Sequence, residues 1–156
     1  MRIHLVFVGK TGFSDLESAI VRYVDRIGHY CPVQTHYIKP EKITRASNEN
    51  TVRARESERI VKLVDRRGHL IVLDRSGKEY DSPGLATFIE KLNDSGISDV
   101  WVAVGGPVGV SPELLESADT VISLSRLTFP HDLARLTLAE QLYRAFTIIR
   151  GEPYHK

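Results

Sequence analysis

Residues 124–135 read LSRLTFPHDLAR. An apolar run ends there in the polar pair Ser125-Arg126, and Leu127, Thr128, Phe129, Pro130 and His131 lead into a long helical pattern. Pro130 and Asp132 suit a helix start, because proline fits the first turn and a carboxylate favours the positive end of the helix. Those local rules do not explain Ser125 to Phe129. The stretch is either packing and capping, or the wall of a site.

Two further stretches carry groups that could do chemistry. Gly105-Gly106-Pro107-Val108-Gly109 puts three glycines in five residues, so the backbone can approach a ligand closely and take positive φ. A helix start at Ser111 would add free N–H groups. A phosphate cradle is the easy expectation, but the loop matches neither GxGxxG nor GxxxxGK[ST] and contains no lysine or arginine. A tight turn is the competing description. The chain ends GEPYHK, where Tyr154 can stack, His155 can titrate and Lys156 carries a cation. A frayed tail is the alternative there. Asp74, in DRSGK, is a turn former before it is a ribose ligand or an acid.

Other chemistries are disfavoured. His4, His29, His36, His69, His131 and His155 show no metal-ligand spacing, so no metal is expected. The single cysteine, Cys31, excludes an internal disulfide and a Cys-based zinc site. A reducing compartment is the natural expectation. No segment approaches a membrane span or a signal peptide, which points to a cytoplasmic protein. Net charge is +1 with histidines neutral, so nucleic acid is not held by bulk electrostatics.

These groups need elements to position them. At 156 residues, 42% hydrophobic and 26% charged, the chain fits one domain, 1–156, with a real core. Strands are expected at Arg2–Val8, Val33–Ile38, Leu70–Leu73, Val100–Val104 and Thr120–Leu124. Helices are expected from Ser14 (with Glu17 completing a capping box) to Gly28, over about Asn50–Arg67, from Ser82-Pro83 to near Gly96, from Ser111-Pro112-Glu113, and from Pro130 to about Arg150. On the second helix Val52, Ile60, Val61 and Val64 make only a thin apolar stripe. Strict alternation predicts an α/β fold: a mostly parallel sheet of about five strands with helices on both faces. Ligands of such sheets bind beyond the carboxyl ends of the strands, where Asp74–Lys78, Gly105–Gly109 and Ser125–His131 all fall. The last helix is unusually apolar, through Leu136, Leu138, Ala139, Leu142, Tyr143, Ala145, Phe146 and Ile149. Such a face is shared with a second subunit or buried internally; a homodimer is favoured.

GGPVG, LSRLTFPHDLAR and AEQLYRAFTIIRGEPYHK, with MRIHLVFVGK and LIVLDRSGK, resemble the RlmH family across essentially the whole chain. These are SPOUT-class methyltransferases of ribosomal RNA. The resemblance implies a C-terminal trefoil knot, a homodimer with the site near its interface, and S-adenosylmethionine as donor. It implies N3 of a pseudouridine in a large-subunit rRNA stem-loop as acceptor, within the assembled ribosome. Carried over by position, the donor site takes Leu73, Gly105, Gly106, Gly109, Leu124, Ser125, Arg126, Leu127, Thr128 and Phe129. A donor without phosphate would also account for the missing cation. Val108 departs from the acidic or polar residue common there in the family. His131, Arg135, Arg144, Tyr154, His155 and Lys156 are expected on the RNA side, with Tyr154 stacking, His155 accepting a proton, and Lys156 or Arg144 holding negative charge. Alternatives are a SPOUT enzyme for another RNA such as tRNA, or a non-catalytic flavodoxin-like nucleotide-binding module.

Overall fold

A computed structural model describes residues 1–155. Across these residues strands and helices alternate: β1 (Arg2–Val8), α1 (Ser14–Ile27), β2 (Val33–Ile38), α2 (Glu49–Leu63), β3 (His69–Glu79), α3 (Ser82–Asp94), β4 (Asp99–Val104), α4 (Pro112–Ser117), β5 (Thr120–Ser123) and α5 (His131–Ile149). The strands pair in parallel in the order β2-β1-β4-β3-β5. The expected parallel sheet with helices on both faces is therefore present.

Strand composition explains the layering. All of β1 after Arg2 is buried, so the strand is apolar on both sides, as a parallel strand covered by helices must be. Ile3, Leu5 and Phe7 face a core shared with α1, α3 and α5. Val6 and Val8 face a second core under α2 and α4, together with Leu70, Val72 and Trp101. Burying each large apolar side chain contributes about 1.5–3 kcal/mol.

The apolar face of α5 is used mostly within the chain. Leu138, Ala139, Leu142, Ala145 and Phe146 are buried, and Leu136, Tyr143 and Ile149 pack partly buried against the same core. That face is therefore largely spent before any second subunit arrives.

Several element ends differ from the sequence expectation. The Ser14/Glu17 capping box does not form: Phe13 is the N-cap, without a side-chain bond, and Ser14 is already inside the helix. Glu17 instead accepts a hydrogen bond from the Tyr37 hydroxyl at 2.7 Å. Helix α2 is capped by Asn48, whose side chain accepts the N–H groups of Asn50 and Thr51. It stops at Leu63, because Asp65 takes the Arg67 N–H and side chain into a separate turn. Asp81 rather than Ser82 caps α3, accepting the Gly84 N–H at 2.7 Å. Ser111 caps α4 as expected.

The second core also holds polar groups. His4 stacks on Trp101 with ring centroids 3.9 Å apart. Its Nδ1 lies 3.0 Å from His36 Nε2, and its Nε2 lies 2.9 Å from Asp99 Oδ1. The alternation of β1 hides this chain of contacts from sequence spacing, since His4 and His36 meet only through the β1–β2 pairing.

Candidate active site

Strand register gathers three of the expected loops. Leu73 of β3 aligns with Val104 of β4 on one side and Ile122 of β5 on the other. Gly105 and Leu124 therefore leave the sheet on either side of Leu73. With strands about 4.8 Å apart, the three exits span about 10 Å. Strand β3 does not stop at Leu73 as expected. Residues 74–77 bulge out, and Lys78 and Glu79 rejoin β5 at Ile122 and Ser123. Asp74 is the turn former of the bulge, its Oδ1 accepting the Ser76 N–H at 2.9 Å and hydroxyl at 2.6 Å. A side chain at Gly77 would put its Cβ 2.6 Å from the Val121 and Ile122 backbone.

The glycine loop is a tight turn, and its glycines do different work. The Gly109 N–H donates to the Gly106 carbonyl at 2.9 Å. Gly109 has φ +80° with open space where a Cβ would point. Gly106 is buried, and a Cβ there would lie 2.8 Å from Glu56 Oε2. The nearby guanidinium of Arg53 is engaged, its Nε–H donating to the Val108 carbonyl at 2.9 Å. Turn geometry and ligand approach are thus compatible here, and the glycine loop itself carries no lysine or arginine.

The β5–α5 loop closes the third side. The Ser123 hydroxyl donates to the Ser125 carbonyl at 3.0 Å, and the Ser125 hydroxyl accepts the Leu127 N–H at 3.1 Å. Arg126, Leu127 and Thr128 are exposed, and Leu124, Ser125 and Phe129 are half-buried. Leu127 is 72% exposed, an apolar side chain left uncovered among the described residues.

At the start of α5 the expected RNA-facing residues separate. His131 is half-buried, with Nε2 3.1 Å from Asp132 Oδ1. Burial still holds its pKa below the ordinary histidine value; Asp132 opposes that shift and Arg135 adds to it. Its imidazole is therefore neutral near pH 7. Arg135 does not face the RNA side: its side chain is fully buried. It donates to the Val8 carbonyl at 2.5 Å and to Asp132 at 3.3 Å, and lies 5.0 Å over the Phe7 ring. Asp132, buried as well, also accepts the Gly12 N–H at 2.9 Å. Arg135 thus ties the end of β1 to α5.

The tail is docked rather than frayed. Gly151, at φ +67°, turns the chain, and the Glu152 N–H returns to the Thr147 carbonyl at 2.8 Å. Tyr154 packs edge-on against Tyr143 at 4.8 Å, and its hydroxyl donates to Glu140 at 3.1 Å. Arg144 sits 4.7 Å over the Tyr154 ring and bonds Glu140 at 2.5 and 3.0 Å. Burial first, then the hydrogen bonds to Tyr23 and Glu140, push the Tyr154 phenol well above its ordinary range, so it stays protonated. His155 is exposed. Lys156 lies outside the described residues.

Two halves of the expected site are therefore apart. From His131 to Arg144 the helix climbs about 20 Å at 1.5 Å per residue. One chain does not bring Tyr154 to His131. Among the described residues, no group of three or more His, Cys, Asp or Glu could hold a metal ion, and no helix is long and apolar enough to cross a membrane.

Sequence reasoning passed over Asp132 as a mere helix-start charge, and did not find Arg53, Glu56, Ser57 or Tyr23 as supports; the i, i+4 spacing of Glu140 and Arg144 did suggest their pairing, which is present. A signal existed for Glu56: it interrupts the stripe Val52, Ile60, Val64 at four-residue spacing. Arg135 likewise shares a stripe with Leu138 and Leu142.

The family described as "Predicted SPOUT methyltransferase" matches residues 1–155. The chain is 56% identical over 157 residues to the "Ribosomal RNA large subunit methyltransferase H" of Syntrophobacter fumaroxidans (strain DSM 10017 / MPOB), covering 100% of both. It is 41% identical over 155 residues to the enzyme of that name from Geobacter sulfurreducens (strain ATCC 51573 / DSM 12127 / PCA), covering 99% of both. Among solved structures, it is similar in fold to a methylase family protein of Haemophilus influenzae Rd KW20, with a TM-score of 0.56 and 18% identity. A methyltransferase from Legionella pneumophila, solved with bound S-adenosylmethionine, gives a TM-score of 0.54 at 13% identity. These two likenesses cover 96% and 93% of this chain, and 66% of each of the other two.

Proposed function

The chain belongs to the SPOUT methyltransferase family, and on that premise we propose that it methylates large-subunit ribosomal RNA using S-adenosylmethionine. The register that sets Gly105 and Leu124 on either side of Leu73 carries this proposal. It supports a donor site built from Leu73, Gly105, Gly106, Gly109 and Leu124–Phe129. Backbone groups and apolar walls suit an adenosine, and the absence of lysine and arginine from the glycine loop suits a donor without phosphate. The same membership sets aside the non-catalytic flavodoxin-like module.

The acceptor is N3 of a pseudouridine in an rRNA stem-loop, and the substrate is the assembled ribosome. Bound donor supplies a methyl carbon made electrophilic by its sulfonium. As the N–C bond formed the C–S bond would break and the neutral thioether would leave; the protein's part would be to orient donor and acceptor, a positioning effect worth on the order of 7–11 kcal/mol in the best cases. N3 must also lose its proton. His131 is held neutral by burial and can accept it. The Tyr154 phenol stays protonated, which suits it to stack on a base rather than act as a base. Arg144, fixed by Glu140 and Tyr154, offers a cation to the developing imide anion. His155 and Lys156 complete the RNA side.

The working unit is a homodimer in the cytoplasm. The support is the separation along α5: a two-fold partner can offer its tail to the His131 end of this chain. Exposed Phe13, Leu127 and Leu133 beside that end are apolar surface for the partner. The C-terminal segment is threaded as the family's knot.

Transfer of labelled methyl from the donor to ribosomes, subunits and free rRNA, with the modified base mapped, tests the function. Label on the pseudouridine of intact ribosomes is expected; label on another RNA alone rejects the proposed target. Deleting Tyr154–Lys156 is expected to abolish transfer with near-normal donor binding. Mixing that chain with a donor-site variant is expected to restore activity in mixed dimers. A monomeric mass in solution would reject the dimer.

A further inference from the structure

The inner stripe of α2 runs Val52, Glu56, Ile60 and on to Val64 just past the helix end, and all four are buried. A carboxylate in the middle of such a stripe costs free energy unless it is used. Glu56 is 1% exposed. Its Oε1 accepts the Glu41 N–H at 2.9 Å, and Glu41 is itself pinned by Arg55 and Arg59. Its Oε2 has no hydrogen-bond partner among the described residues and abuts Gly106.

The adjacent residues of the same helical turn grip the loop on both sides. Arg53 donates to the Val108 carbonyl at 2.9 Å, and the Ser57 hydroxyl accepts the Ser111 N–H at 2.9 Å. The segment is thus held at Gly106, Val108 and Ser111 by Glu56, Arg53 and Ser57. A loop with three glycines would otherwise sample many shapes, and ordering it on binding would weaken affinity.

We infer that Glu56 is a positioning residue for donor binding: it backs Gly106 so that the glycine loop meets the donor already shaped. This rests on the donor site proposed above. The carboxylate does not touch the donor; it acts through the loop.

Calorimetric titration of S-adenosylmethionine into full-length wild type, E56A, E56Q, G106A and E56A/G106A tests it, with donor KM, kcat and melting temperature alongside. E56A is expected to raise donor Kd and donor KM together by about tenfold or more, with kcat at saturating donor within about threefold of wild type. E56Q is expected to stay within about threefold, because the amide keeps an acceptor for the Glu41 N–H and the bulk behind Gly106. G106A pushes a methyl into Glu56 and is expected to weaken binding. E56A/G106A is expected to bind more tightly than the product of the single effects. A wild-type Kd in E56A with only a lowered melting temperature would overturn the inference, as would two single effects that multiply without coupling. If E56A does not fold, G106A decides: a wild-type Kd there overturns it. A wild type that binds no donor would instead reject the donor site itself.

Discussion

The two faces of the sheet are packed by different rules. Against α1, α3 and α5 the strands present Ile3, Leu5, Phe7, Ile71 and Val102, and the helices answer with side chains of the same kind. Against α2 and α4, Val6, Val8, Leu70 and Val72 share the interior with His4, Glu56, Ser57 and Ser111. The first face supplies cohesion. The second gives up some apolar burial to hold a loop in shape. Arg135 is the largest of the polar groups buried on the first face, with Asp132 and Thr147 on the same helix, and it too holds a chain segment in place. It fixes the exit of β1 through the Val8 carbonyl.

Arg135→Met gives the largest effect expected of this contrast. It leaves buried Asp132 without its guanidinium, and breaking a buried pair costs about 3–5 kcal/mol. Denaturant unfolding measures it, and a loss below about 1 kcal/mol would mean the guanidinium is not structural. Leu142→Ala on the cohesive face is expected to cost about 2–5 kcal/mol while leaving donor Kd unchanged. A parallel loss of donor affinity would show that the two faces are not separable.

The second face should also be the pH-sensitive one. Burial first, then neighbouring His4, lower the His36 pKa. Its contribution to stability is present above the unfolded value of about 6.5 and is lost as pH falls through the lower folded value. Burial raises the Glu56 pKa. Its contribution is present below the ordinary glutamate value and lost as pH rises through the folded one, so the stability of E56Q relative to wild type should grow from pH 4 to pH 7. Melting curves across that range check both signs; identical pH dependence in wild type, E56Q and H36Q would break the contrast. In activity, the acid limb assigned to His131 should fall below about 6.5, and H131Q should remove it. Tyr154→Phe has the smallest expected effect. It loses one hydroxyl bonded to Glu140, about 0.5–1.5 kcal/mol of tail docking, but keeps the stacking ring, so activity should survive where Tyr154→Ala loses it.

Much of the scaffold was legible in the residues. Alternating apolar runs and helical patterns located the strands, and three chemically unusual loops fell at their carboxyl ends. What was hidden depended on pairing across the fold. His4 and His36 lie 32 residues apart and meet only because β1 aligns with β2. Arg135 follows His131 by one helical turn, so it looked like part of the same exposed group. Its spacing to Leu138 and Leu142 marks it as inward, and that stripe decides its place. The apolar breadth of α5 suggested a partner, but α1 and α3 cover most of it. The proposed dimer rests instead on the distance between His131 and Tyr154, which no local pattern encodes.

The stacking of Trp101 on His4 has an optical consequence. Trp101 is the sole tryptophan, it is almost wholly buried, and it stands on β4 four residues before Gly105. Indole emission responds to the charge of a ring in contact with it. Protonation of His36, whose ring centroid lies 5.3 Å from that of Trp101, or movement at the strand end that carries the glycine loop, should therefore change the intrinsic fluorescence. The polar face of the sheet thus comes with a native fluorophore, and events there can be followed by light without attaching a dye.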